Sequence, residues 1–181
     1  RHRLYEDVDL LGQLGRALHR RIWEIAGNPN PRPQQVIGIP DTATPLALSA
    51  AMASLGTAQP LLYAQLRKRP AAYPGGASGR SAFMGTWQEG REVTLIDDVM
   101  ASGGSKLWAL EELAKDGIHV ARILVVVDRE QGGDEILAAR GYPTYSLYTV
   151  RRILDYFVAT AKVDSGVARG ALDYLRAKQF R

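Results

Sequence analysis

Val93-Thr94-Leu95-Ile96-Asp97-Asp98-Val99-Met100-Ala101-Ser102-Gly103-Gly104-Ser105 is the stretch that decides the fold of this chain. An apolar, β-prone run ends in two acids, passes through a turn of small residues and opens a helix from about Gly104 to Lys115. In an open α/β sheet, ligands sit beyond the carboxyl ends of the strands, which is where this order places Asp97 and Asp98. The turn offers unpaired backbone N–H groups and the positive end of a helix dipole, a ready site for an anion. Gly103 and Gly104 let backbone approach that anion closely, and Ser102 and Ser105 add hydroxyl donors. The Gly-Lys-Ser/Thr ending of a P-loop is missing. An acidic pair beside an anion cradle suits a ligand with hydroxyls and phosphate, such as a ribose phosphate with Mg²⁺. On Asp97-Asp98 alone, a plain capped turn is an equally open reading.

Outward from this stretch, strands and helices alternate. Leu10, Leu11, Leu14, Leu18, Ile22 and Ile25 recur at three- and four-residue steps, which predicts an amphipathic helix over Val8 to Ile25, stopped by Gly27-Asn28-Pro29. Val36 to Ile39 reads as a buried strand, Pro45 to Leu55 as a helix and Pro60 to Leu66 as a second strand. Val120 to Val127 is the most β-like run; Glu135 to Ala139 reads as a short helix, Thr144 to Tyr148 as a last strand, and the C-terminal third as helical. The expected fold is α/β, a mostly parallel sheet with helices on both faces. Residues 67–85 break the pattern with Pro70, Pro74, Gly75, Gly76, Gly79 and Gly85, and such a segment inside a compact domain reads as a functional lid or a linker.

The 181 residues suit a single domain, 1–181. No apolar run approaches the length of a membrane span. Cysteine is absent, which excludes disulfides, thiolate-held metal and a thiol nucleophile, and suits a reducing, cytoplasmic setting. The net charge of +4 comes from scattered basic residues without an aromatic-interleaved stripe, so a small polyanion fits better than nucleic acid or a membrane. His2, His19 and His119 are too dispersed for a metal site.

The segment from Val93 to Ser105 resembles the phosphoribosyl pyrophosphate (PRPP) signature of the type I phosphoribosyltransferases. Three further pieces narrow the resemblance to orotate phosphoribosyltransferase: Gly38 to Ala47 (Gly-Ile-Pro-Asp-Thr-Ala-Thr-Pro-Leu-Ala), Arg67-Lys68, and Val127 to Gly133 (Val-Asp-Arg-Glu-Gln-Gly-Gly). They stand in the family's order, and the similarity runs from about Tyr5 over nearly the whole chain. The resemblance implies transfer of phosphoribosyl from PRPP to orotate, giving orotidine 5′-monophosphate and pyrophosphate in pyrimidine biosynthesis, with Mg²⁺ as cofactor. It implies that Asp97 and Asp98 meet the ribose hydroxyls, directly or through Mg²⁺, and that Ala101, Ser102, Gly103, Gly104 and Ser105 cradle the 5-phosphate. Asp41, Thr42, Ala43 and Thr44 are expected at the pyrophosphate through backbone amides. Arg67, Lys68 and Arg69 belong to the lid over it, with Lys68 catalytic, and Arg129 faces the orotate carboxylate, which a guanidinium matches bidentately. Without the family context, Arg129 reads first as a strand-end surface arginine, and Arg67-Lys68 as solvated loop charge.

The resemblance also implies a homodimer and, in some members, fusion to orotidylate decarboxylase. The family's N-terminal Ser-Gly-x-x-Ser-Pro segment, which helps hold the orotate ring, is not present, and Arg1 to Asp7 resembles the family's residues just downstream of that segment. Two more positions depart from the pattern: Ala71 and Pro74 replace a lysine and a glycine of the lid, and Ala101 replaces a threonine of the cradle. These departures raise a second expectation, a phosphoribosyltransferase-like module that binds PRPP or nucleotide for regulation or assembly without efficient catalysis.

Overall fold

A computed structural model describes residues 6–27, 33–68 and 81–180. The first helix, α1, spans Val8–Ala26; Asp7 caps it by accepting from the Leu10 N–H, and Gly27 ends it in the left-handed conformation. Strand β1 is Gln34–Gly38, α2 is Thr44–Ala53, β2 is Leu61–Leu66 and β3 is Phe83–Met84. Strand β4 is Glu92–Met100, α3 is Gly104–Ala114, β5 is Val120–Asp128 and α4 is Gly133–Ala138. The chain continues as β6, Thr144–Thr149, then α5, Val150–Ala159, and α6, Ser165–Ala177.

The six strands form one sheet in the order β3-β2-β1-β4-β5-β6, parallel except for the β2–β3 pair. From β1 the chain crosses through α2 to β2 on one side; from β4 it crosses through α3 to β5 on the other. Right-handed crossovers in opposite directions put α2 and α3 on opposite faces, as the alternation predicts. The reversal falls between β1 and β4, and the loops leaving their carboxyl ends part there to leave a crevice. Ile37, Leu46, Leu95, Ile96, Ile123 and Leu124 are fully buried and hold the sheet and its helices together. Helix α1 lies against α2, where the Ser49 hydroxyl donates to the Leu11 carbonyl at 2.8 Å.

The structure departs from the sequence expectations in two places that matter for the site. Strand β4 does not stop before the acids: Asp97 pairs in register with Val125 and Val99 with Val127, so the acidic pair lies within the sheet. Phe83–Met84, inside the expected irregular stretch 67–85, forms a two-residue edge strand against Gln65 and Leu66. Arg69, Ala71, Pro74 and the glycines of the lid up to Gly79 lie outside the described residues, as do Arg1 to Tyr5.

Candidate active site

Beyond the carboxyl ends of β1 and β4 lies a cleft of 330 Å³. Its walls are the turn after β1 (Ile39 to Thr42), the end of β4 with its turn (Asp97 to Lys106, apart from Met100), Lys68 after β2 and Arg129 after β5. Four loops separated in sequence therefore converge where the topology opens, and they carry most of the residues picked out by sequence.

The turn after β4 is shaped for an anion. Gly103 caps α3 with φ +80, a left-handed conformation that L side chains rarely adopt, and Lys106 and Leu107 donate their N–H groups back to its carbonyl. No side chain caps the α3 N-terminus. Ser102, Gly104 and Ser105 are exposed around it. Positive helix-end charge and exposed hydroxyls thus face the cleft together.

Asp97 and Asp98 are both buried, and Asp97 is engaged from several sides. One of its oxygens accepts from the Asp98 N–H at 2.8 Å. The other takes the Lys106 ammonium at 2.5 Å and the Ser105 hydroxyl at 3.3 Å. Lys106 is itself 3% exposed and also donates to the Val99 carbonyl. Burial pushes the Asp97 carboxyl up from its ordinary range, while the Lys106 charge opposes that rise. Lys106 was not anticipated from sequence. A lysine in the first turn of a helix reads as a solvated charge, and the only signal was its place directly after the cradle.

Across the cleft, the Pro40–Asp41 peptide is cis and the Ala43 N–H donates to the Ile39 carbonyl at 3.0 Å. That bond occupies one of the backbone amides of the Asp41 to Thr44 stretch. Ala43 is fully buried with its amide already used, and Thr44 opens α2 outside the cleft lining; Asp41 and Thr42 face it. The Lys68 ammonium reaches over to the Asp41 carboxylate at 3.0 Å, so the start of the lid bridges to the turn after β1. Arg67 is exposed and fixed through its backbone, donating to the Ala82 carbonyl at 2.9 Å. Arg129 extends the ladder by donating its N–H to the Met100 carbonyl at 3.0 Å, which carries it to the cleft beside the cradle. No group of three or more His, Cys, Asp or Glu among the described residues is arranged to hold a metal ion by itself. No helix among them is long and apolar enough to cross a membrane.

No protein-family model matches the chain. It is 36% identical over 122 residues to the orotate phosphoribosyltransferase of Methanoculleus marisnigri, an alignment covering 67% of this chain and 66% of that protein. The match with the Sulfurisphaera tokodaii orotate phosphoribosyltransferase is 29% identical over 140 residues, covering 77% and 67%. The chain thus spans about two thirds of the length of these relatives. Among solved structures, UMP synthase from Leishmania donovani superposes with a TM-score of 0.74 at 21% identity, over 96% of this chain and 34% of that one. This likeness is one of fold.

Proposed function

Because this chain belongs to the orotate phosphoribosyltransferase family, we propose that it transfers the phosphoribosyl group of PRPP to orotate, giving orotidine 5′-monophosphate and pyrophosphate. The observation that carries this reading is the convergence, in one cleft, of an uncapped helix N-terminus, an acidic pair, and the cations Lys68 and Arg129. A polyanionic sugar phosphate and a carboxylate-bearing base match that set in charge and hydrogen-bonding type.

In this account, the Ala101–Ser105 turn holds the 5-phosphate through backbone N–H groups and the Ser102 and Ser105 hydroxyls. Asp98, with Asp97 behind it, meets the ribose hydroxyls and offsets positive charge developing at C1 as its bond to pyrophosphate breaks. Lys68 leaves its exposed pair with Asp41 to meet the pyrophosphate, and cations placed where negative charge grows stabilise the transition state more than the ground state. Arg67 and Arg69 add charge from the same lid. Arg129 takes the orotate carboxylate and so aims the ring nitrogen at C1.

A divalent cation such as Mg²⁺ fits this donor set. Mg²⁺ takes oxygen ligands, largely from substrate and water rather than a protein cage, and the site offers carboxylates without an all-protein cluster. Asp98 and Asp97 would hold it, and when bound it would neutralise charge on the leaving pyrophosphate. We extend the reading to a cytoplasmic homodimer. Leu48 and Met52, one turn apart on α2 and 43% and 61% exposed, supply an apolar face for the partner. A longer protein with a fused decarboxylase is a further arrangement that the family resemblance implies. Nothing in the comparisons favours a non-catalytic module. The test is formation of orotidine 5′-monophosphate from orotate, PRPP and Mg²⁺; no product at any enzyme concentration contradicts the reading.

A further inference from the structure

The loop that carries Arg129 leaves the sheet after one bond to β4, and beyond Arg129 it is held mainly from outside the sheet. Between β5 and α4, residues 129–132 are tied to the sheet by the Arg129 N–H, which donates to the Met100 carbonyl at 3.0 Å, and within the loop the Asp128 carboxylate accepts from the Glu130 N–H at 2.8 Å; Glu130 sits at φ +54, unfavourable for a side chain. Further ties come from the chain's last described residues. The Phe180 N–H donates to the Gln131 carbonyl at 2.8 Å. The Gln131 side-chain amide, 2% exposed, donates to the Lys178 carbonyl at 2.9 Å. The Gln179 side-chain amide donates to the Glu130 carbonyl at 2.7 Å. Gly132 is pressed so closely that a Cβ there would stand 2.5 Å from the Phe180 carbonyl oxygen. From the other side, the first turn of α5 grips Glu130, whose carboxylate accepts from the Arg151 N–H at 3.0 Å and pairs with its guanidinium at 3.5 Å.

We propose that residues 178–180, together with Arg151, are a strap that positions Arg129 for the base. Gln179 and Phe180 touch no part of the cleft; they fix Glu130 and Gln131, the two residues after Arg129, and with them the direction in which its guanidinium enters. The strap's own contacts fall on Glu130 to Gly132 and not on the cradle, against which the next residue, Gly133, packs at the Ala101 carbonyl. Its effect therefore falls on recognition of the base's carboxylate before it reaches the phosphate. This rests on the reading of Arg129 as the carboxylate partner of orotate.

The experiment is Q179A/F180P, which removes one side-chain donor and one backbone donor while changing only exposed residues. Orotate and PRPP Michaelis constants, turnover with uracil, the melting temperature and hydrogen exchange of amides 129–133 are compared with the unsubstituted chain. The strap predicts an orotate KM raised about tenfold, a PRPP KM within twofold, a smaller preference for orotate over uracil, and faster exchange at 129–133 with little change in melting temperature. Gln179→Asn, which keeps an amide, should give an intermediate KM. Unchanged exchange at 129–133 overturns the strap whether or not the chain acts on orotate. Faster exchange with an unchanged orotate KM, or with both KM values rising together, overturns its role in base recognition. If the unsubstituted chain shows no orotate turnover, the reading of the cleft fails, and the exchange result still decides the strap.

Discussion

Replacing Lys106 by Met should cost this protein far more than any surface charge would. The methionine keeps the apolar stem but deletes the ammonium that sits 2.5 Å from Asp97, with the two side chains 3% and 5% exposed. Removing one partner of a buried pair leaves the other charge uncompensated, at about 3–5 kcal/mol. For a chain of this size each kcal/mol moves the melting temperature by roughly 2–4 °C, so a loss of about 6–20 °C is expected. The pair Lys68–Asp41, 62% and 80% exposed, gives the contrast; exposed pairs are worth about 0–1 kcal/mol. Asp97 also sets a sign in pH. Burial already raises its carboxyl and Lys106 opposes the rise, so the variant lets it climb further. A carboxyl raised by folding costs stability from the unfolded value of about 3.9 upward, in full above its folded value, and nothing below that unfolded value. The deficit should therefore be largest at neutral pH and shrink as pH falls toward 4. Thermal melts of Lys106→Met, Asp97→Asn and the double variant, at pH 7 and pH 4.5, make the measurement, with the double variant recovering most of the loss. A deficit below about 1 kcal/mol, or one that is additive with Asp97→Asn and flat in pH, would refute the reasoning.

Arg129→Ala should weaken orotate by about 2–5 kcal/mol, the cost of truncating one partner of a desolvated charged pair, and uracil much less; competition binding of the two bases checks it. Lys68→Ala should abolish measurable turnover while PRPP affinity, read by calorimetry, stays within a few-fold, because a cation acting on developing charge affects kcat rather than binding. Asp128→Asn should stabilise the fold at neutral pH. Burial raises the Asp128 carboxyl, aided by Asp134 and Glu130, so its ionised form is the unfavourable one, and the gain should vanish below about pH 4, where both states are protonated; melts across pH 4–8 show whether it does. The unsubstituted chain should turn over slowly, and Ala71→Lys with Pro74→Gly should raise its rate, which a steady-state comparison reads directly.

How far the sequence could be read depends on the range over which each signal acts. Strands β1, β4 and β5 were legible from their buried apolar runs, although β1 begins earlier than that run, at the buried polar residues Gln34 and Gln35. The end of β4 was not: Asp97 and Asp98 break the apolar run, yet pairing with Val125 and Val127 carries the strand to Met100. Phe83–Met84 has too few residues for any alternation to show, and it is a strand only because Gln65 and Leu66 lie beside it. In the site, the cradle announced itself by local residue order, whereas Arg129 stood out only through the family resemblance. Lys106 did not, because its burial depends on Asp97 and the Val99 carbonyl, and a lone lysine is assigned to water by default. The strap was equally hidden: its contacts join residues 47 and 49 apart, with no periodicity to mark them. The amide of Ala43 shows the converse, a residue whose resemblance pointed to the ligand while its own turn had already used its N–H.

The central claim, that the cleft between β1 and β4 joins a phosphoribosyl group to orotate, is tested most directly by tracking orotate consumption and orotidine 5′-monophosphate formation with PRPP and Mg²⁺, for the unsubstituted chain and for Asp98→Asn. The account predicts product that appears only when PRPP is supplied, at a low turnover rate, and that falls by at least tenfold in Asp98→Asn. Product forming equally well in Asp98→Asn, or PRPP bound with no orotidylate formed at any enzyme concentration, would contradict it.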